Sequence, residues 1–302
     1  MKRIIIGFAT NMSRHSTAIF LRSARKSHPD NTDICLITNQ MKDIKDIVEE
    51  TDAIIFYTPS TYSPKTGKSS KLLNRWVIHQ MRLLYNLGLL GRMPEAVSGY
   101  HTMLEAWHHP HFARWIAYLR LLNLFGHRYY KVFLADVKDI AFQADAFMDV
   151  TPQSVSLYRE SYTFENEYYN REWIIKGFGQ RSYEKIKNEL PICVGTMAGS
   201  PTITASLISE FVGLFARSPF RTIEQGIFNH ALLNGHFETS VTQIDNFSGA
   251  CATMAGKKTD DMLEIVGQHI VLKESGSIVP VLHGYDRYPH FEEFIYNQYI
   301  NL

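Results

Sequence analysis

Residues 3–10, RIIIGFAT, form a nearly unbroken apolar run rich in isoleucine. A strand exposed on one face alternates apolar and polar residues. A run without alternation is buried on both faces, as in a mostly parallel sheet covered by helices. Similar runs follow at 33–38 and 53–58, each preceded by a segment of helical character. Alternation of this kind predicts an α/β fold built on a single Rossmann-like, mostly parallel sheet flanked by helices. Ser16 is the expected cap of the first helix.

Residues 70–90 carry Leu72, Leu73, Trp76, Val77, Met81, Leu84 and Leu87 at helical spacing, with Lys71, Arg75 and Arg82 among them. The segment reads as a packing helix, and its paired apolar and basic faces suit a membrane-surface helix as well. A second helix is expected over 109–125, with Phe112, Trp115, Ile116, Leu119 and Leu122 on one side and Gly126 as its stop. Directly after it, 130–135 has a buried-strand pattern that ends in Asp136. Later strands are expected at 154–159, 192–196 and 239–244, and helices at 180–190, 201–216 and 222–233, the last capped by Thr222. Residues 270–273 and 278–282 read as a hairpin around ESGS at 274–277. No linker, repeat or low-complexity tract interrupts the chain, which predicts one domain over 1–302.

Charge narrows the range of partners. There are 31 Lys and Arg against 30 Asp and Glu, a net charge of +1, so no polyanionic partner such as nucleic acid is expected. Cys35, Cys193 and Cys251 lie far apart, fitting neither a disulfide framework nor a zinc ribbon and suiting a reducing compartment. The apolar run near the amino terminus is too short for a signal-peptide core, and no stretch approaches the roughly 18–20 apolar residues of a membrane span. A cytoplasmic location is expected. Peripheral contact with the inner face of the membrane, through residues 75–92 or the aromatic tail at 291–299, stays open.

The segment FLADVKDIAFQADAF, residues 133–147, sets Asp136 and Asp139 just beyond a buried strand. Ligands of open α/β sheets gather at such carboxyl ends, and two carboxylates there can hold a hard divalent cation against a diphosphate. Alternatively, Asp136 ends the strand and Asp139 is solvated. No GxGxxG or GxxxxGK[ST] pattern follows the first strand, which removes the main support for dinucleotide and P-loop readings. His101, His108, His109 and His111, with Trp107 among them, have no spacing typical of structural zinc. Aromatic residues interleaved with carboxylates over 158–173 suit a lid that stacks on sugars, or a loop packed over the core.

Taken together, the motifs resemble a known family. ADVKDIAFQADAF is similar to the TDVRDVVFQ-x-DPF strand end of a bacterial and fungal set of GT-A glycosyltransferases. Arg114 and Tyr118 on the preceding helix, VGTMAGS at 194–200, EQGIFNHALL at 224–233 (the family's DQG-x-x-N-x-x-L) and VLHGYDRYP at 281–289 (its H-x-YDR ending) follow in the family order. These blocks span about 110–289; earlier residues match only in strand–helix alternation. The chain departs from the family twice: its acids have DxxD rather than DxD spacing, and Glu224 stands where aspartate is more usual.

The resemblance implies a GT-A fold with a nucleotide-binding half at 1–150 and an acceptor-side half at 151–302. It implies transfer of a sugar from a nucleotide diphosphate, a UDP-sugar above all, to a glycan or lipid-linked acceptor, assisted by Mn²⁺ or Mg²⁺. Asp136, Asp139 and His283 are the implied metal ligands. Phe8, Ala9, Thr10, Arg114, Asp136, Gly195 and Gly199 are the implied donor contacts, and Glu224 and Gln225 the catalytic pair, with Glu224 as general base if the reaction inverts. Each also has a plain structural reading: a helix-dipole carboxylate for Glu224, a solvated helix arginine for Arg114, a packed histidine for His283. Two rivals stand beside this reading, a sugar nucleotidyltransferase and a non-catalytic nucleotide- or sugar-binding protein of the same fold. The first calls for a glycine-rich basic loop after the first strand, where IIIGFATNMSRHS is glycine-poor.

Overall fold

A computed structural model provides the structure of the chain and describes residues 1–61, 68–89, 94–217, 223–254 and 258–301. Thr222 and Arg92 lie outside the described residues, as do the side chains of Lys71 and Leu72. In chain order the strands are β1 (Lys2–Ala9), β2 (Thr32–Thr38), β3 (Ile54–Tyr57), β4 (Tyr129–Asp136), β5 (Ile140–Phe142), β6 (Val155–Arg159), β7 (Ile192–Gly199), β8 (Val241–Ile244), β9 (Cys251–Thr253), β10 (Leu263–Val266), β11 (His269–Leu272) and β12 (Val281–His283).

Among the described residues the main sheet has seven strands in the order β3-β2-β1-β4-β7-β6-β8. All run parallel except β7, which is antiparallel to both neighbours. The expected α/β sheet is present and draws strands from both halves of the chain. Chain connections lead from β1 outward to β2 and β3, then return to β4 on the other side of β1. This reversal places a topological switch point, the usual ligand crevice of such sheets, at the carboxyl ends of β1 and β4.

Successive β1 side chains point to opposite faces and divide between two cores. Ile4, Ile6 and Phe8 join a cluster with Trp115, Phe211, Phe215 and Phe228 from the helices Pro110–Phe125, Pro201–Arg217 and Glu224–Leu233. Ile5 and Ala9 join a second cluster with Phe20 and Leu21 of the helix Arg14–Ser27. Each such fully buried side chain contributes roughly 1.5–3 kcal/mol, and this double burial explains why β1 lacks polar alternation. The helix starts earlier than expected: Ser13, not Ser16, is its cap, its Oγ accepting from the Ser16 backbone N–H at 3.0 Å.

The expected hairpin at 270–282 is only partly formed. The turn is present, with a single Val271–Ile278 bridge, but β11 takes β10 as its partner, and β12 joins a separate sheet in the order β5-β12-β9. His283, at the end of β12, is thereby carried next to the turn that follows β4. The helix Lys68–Asn86 buries Ile78 and packs Met81 and Tyr85 on the core, yet leaves Leu73, Trp76, Leu83 and Leu84 exposed. No helix among the described residues is long and apolar enough to cross a membrane.

Candidate active site

At the switch point lies a cavity of about 900 Å³. Phe8 and Thr10 line it where β1 ends, and Asp136 and Asp139 line it where β4 ends. Ala9 between the first pair faces the opposite core, as strand alternation requires, so this expected donor contact is not on the cavity wall. The Thr10 hydroxyl is buried without a hydrogen-bond partner among the described residues, an acceptor and donor available to a ligand.

Because β7 runs antiparallel, its beginning rather than its end lies beside the carboxyl end of β4. Gly195 is therefore in the cavity wall. A Cβ there would meet His283 Cε1 at 2.5 Å, His283 Nε2 at 2.8 Å and Asp136 Oδ2 at 2.9 Å, so only glycine lets these two side chains converge. Gly199, the other expected small-residue contact, pairs with Val132 at the far end of β7 and packs on Thr204 and Ser154. It is remote from the cavity, and its lack of a side chain serves packing.

His283 is buried, with Nδ1 3.3 Å from Cys193 Sγ and Nε2 3.6 Å from Asp139 Oδ1. The Gly284 N–H donates to the Asp139 carbonyl at 2.8 Å, tying the two segments together. Burial pushes the His283 pKa down despite the opposing charge of Asp139, which keeps the imidazole neutral and able to donate a lone pair. One carboxylate and one neutral imidazole side by side suit a Mn²⁺-like ion, and divalent ions on nucleotides commonly complete their shells with phosphate oxygens. Of the three expected ligands, Asp139 and His283 are adjacent, whereas Asp136 turns Oδ1 to Arg114. Among the described residues, no three His, Cys, Asp or Glu side chains are gathered as a metal centre.

Arg114 is not a solvated helix residue. It is 5% exposed, and its guanidinium spans Asp136, the Val194 carbonyl at 3.3 Å and Glu224 Oε1 at 3.1 Å. Two carboxylates already face its charge, and Arg114 also lines the cavity. Glu224 begins the helix Glu224–Leu233 and is 2% exposed. Oε1 also meets His111 Nδ1 at 3.2 Å, while Oε2 is buried without a partner among the described residues. Burial pushes the Glu224 pKa up, but His111 and Arg114 outweigh it and hold the carboxylate below its ordinary range.

Gln225 lines the cavity too, but its carboxamide faces inward, donating to Glu160 Oε1 and Asn170 Oδ1, each at 2.8 Å. Asn170 Nδ2 donates to Glu160 Oε2 at 2.8 Å. Gln225 thus holds Glu160 in place. Glu160 lines the cavity just beyond β6; burial pushes its pKa up to about 7, against the pull of these amide donors. Its signal in the sequence was the one that marked Asp136: an acid immediately after a buried strand.

Tyr162, Tyr169 and Trp173, from the aromatic stretch over 158–173, line the cavity, whereas Tyr158 is buried beneath it in the core. Arg287, in the HGYDR block, lines it as well. Among the described residues the histidine cluster is not gathered as a metal centre. His109 caps the helix Pro110–Phe125, its ring accepting from the His111 N–H, and His111 stacks on His109 with ring centroids 4.6 Å apart while reaching Glu224. No protein-family model matches the chain, and no curated protein matches it either.

Proposed function

We propose that the cavity is the donor site of a metal-assisted glycosyltransferase of the GT-A type, taking a sugar from a UDP-sugar to a glycan or lipid-linked acceptor. One observation carries the reading: Asp136, Asp139, Gly195, Glu224 and His283, far apart in sequence, line one cavity at the switch point of a mostly parallel sheet. Phe8 and Thr10 border the nucleoside. Asp139 and His283 hold Mn²⁺ or Mg²⁺, which when bound neutralises charge on the diphosphate. Arg287 supplies a further cation to the phosphate oxygens.

In the transfer, the acceptor hydroxyl oxygen bonds to the anomeric carbon. The bond from that carbon to the diphosphate oxygen breaks, its electron pair leaves with the diphosphate, and the hydroxyl proton passes to a carboxylate. Glu160, with a pKa near neutrality, suits proton acceptance better than Glu224, whose depressed pKa makes it a weak base. Glu224 instead stays ionised, its unpartnered Oε2 accepting a sugar hydroxyl. Tyr169 and Trp173 stack on the sugar or acceptor.

A non-catalytic binding protein is the reading favoured by Arg114, which already occupies two of the carboxylates. The two are separated by incubating the protein with a panel of UDP-sugars and Mn²⁺ and following release of UDP, by slow hydrolysis or by transfer to oligosaccharide acceptors. Turnover of one donor, lost in Asp139→Ala, supports the transferase. Tight donor binding without UDP release across all donors and acceptors favours the binding protein.

A further inference from the structure

The outer face of the helix Lys68–Asn86 has no role in the cavity. Its inner side is anchored by buried Ile78 and by Tyr85, whose ring lies 5.6 Å from Tyr100. On the outer side Leu73 and Trp76 are each 61% exposed and Leu83 50%, and the row continues past the helix end to Leu87 at 63% and Leu89 at 53%. Separations of three, seven and four residues place Leu73, Trp76, Leu83 and Leu87 along one stripe. Single exposed apolar residues are ordinary, but a continuous row of large ones marks a binding face.

Charge identifies the occupant. From 53 to 94 the sequence contains no Asp or Glu, while it carries Lys65, Lys68, Lys71, Arg75, Arg82 and Arg92, in a chain whose net charge is only +1. A second copy meeting this face symmetrically would set cations against cations. An anionic bilayer offers both an apolar interior for Trp and Leu and a negative surface for Lys and Arg. We propose that the outer face of the helix Lys68–Asn86 docks the protein on an anionic phospholipid bilayer, the Leu/Trp row entering the boundary between headgroups and acyl chains. Docking stands independently of the donor chemistry.

The test is co-sedimentation of the full chain with phosphatidylcholine vesicles, with and without phosphatidylglycerol. Binding to the anionic vesicles is expected to be about ten-fold tighter or more, and to weaken as salt rises. Leu83→Gln with Leu87→Gln, and separately Arg75→Glu with Arg82→Glu, are each expected to lower it about ten-fold with unchanged thermal unfolding. Equal binding to neutral and anionic vesicles, no binding to either, or binding unaffected by both double variants overturns the proposal. So does a concentration-dependent dimer, seen by sedimentation, that Leu83→Gln with Leu87→Gln dissolves, because copies of the chain would then cover the face.

Discussion

Two walls of the cavity each bury a glutamate and treat it in opposite ways. On one, Glu224 faces Arg114 and His111 and is held ionised. On the other, Glu160 accepts from the neutral amides of Gln225 and Asn170 with no cation bonded to it, and burial, with Glu167 adding to it and Arg287 opposing, pushes its pKa up to about 7. Burial is comparable, at 2% and 8% exposure, so the charge of the partners rather than depth sets the protonation state. A site with one carboxylate fixed in its charged form and another poised to exchange a proton has the division of labour that group transfer needs.

The largest expected effect separates the walls directly. Glu160→Gln keeps the side-chain volume, sets its NH2 against one of the two amide donors and removes the proton acceptor, so transfer should fall by about 10²–10⁴-fold while UDP affinity is retained. An unchanged rate in a donor-turnover assay would return the base to Glu224. Next comes Arg114→Ala, which removes the cation from buried Glu224 and from the partly exposed Asp136. It should cost about 3–5 kcal/mol in chemical denaturation, and a loss under about 1 kcal/mol would contradict the pairing.

The same contrast predicts a pH dependence. Folded Glu160 titrates near 7 and an unfolded glutamate near 4.3, so between those values the folded state binds more protons than the unfolded one. The stability that neutral Glu160 preserves is complete below about pH 4.3 and is lost as pH rises to about 7, by roughly 4 kcal/mol. Glu224 has the opposite sign: its contribution is present above the ordinary carboxylate range and disappears only as pH falls below it. Wild type should therefore lose stability relative to Glu160→Gln between pH 4.5 and 7.5. A gap independent of pH would show that Glu160 is ionised throughout.

A smaller pair of effects comes from one strand. Gly195→Ala pushes a methyl against His283 and Asp136, whereas Gly199→Ala pushes one against Thr204. Each should cost about 1–3 kcal/mol of stability. Gly195→Ala alone should weaken UDP binding more than ten-fold, and equal affinities in the two variants would detach Gly195 from the site.

What the sequence made legible follows from the kind of signal each residue leaves. β1 and β4 announce themselves because strands buried on both faces have unbroken apolar runs, and Asp136 and Asp139 stand out against that background. Strand direction leaves no such mark. The reversal of β7 is a long-range pairing, and it separates Gly195 from Gly199 although both looked alike as small residues after a strand. The same holds for β12, which local spacing assigns to a hairpin and tertiary pairing gives to β5 and β9. Arg114 reads as a surface residue on its helix because its two carboxylate partners come from other segments. Glu160 shares with Asp136 the mark of an acid after a buried strand, but the amides that position it come from elsewhere, at Asn170 and Gln225.

The central claim is that the cavity takes a metal-bound nucleoside diphosphate at Asp139 and His283. It is tested most directly by calorimetric titration of the protein with UDP, with and without Mn²⁺, beside Asp139→Ala. The account predicts UDP binding that requires Mn²⁺ and disappears in the variant. No UDP binding under either condition, or binding indifferent to both the metal and Asp139, would contradict it.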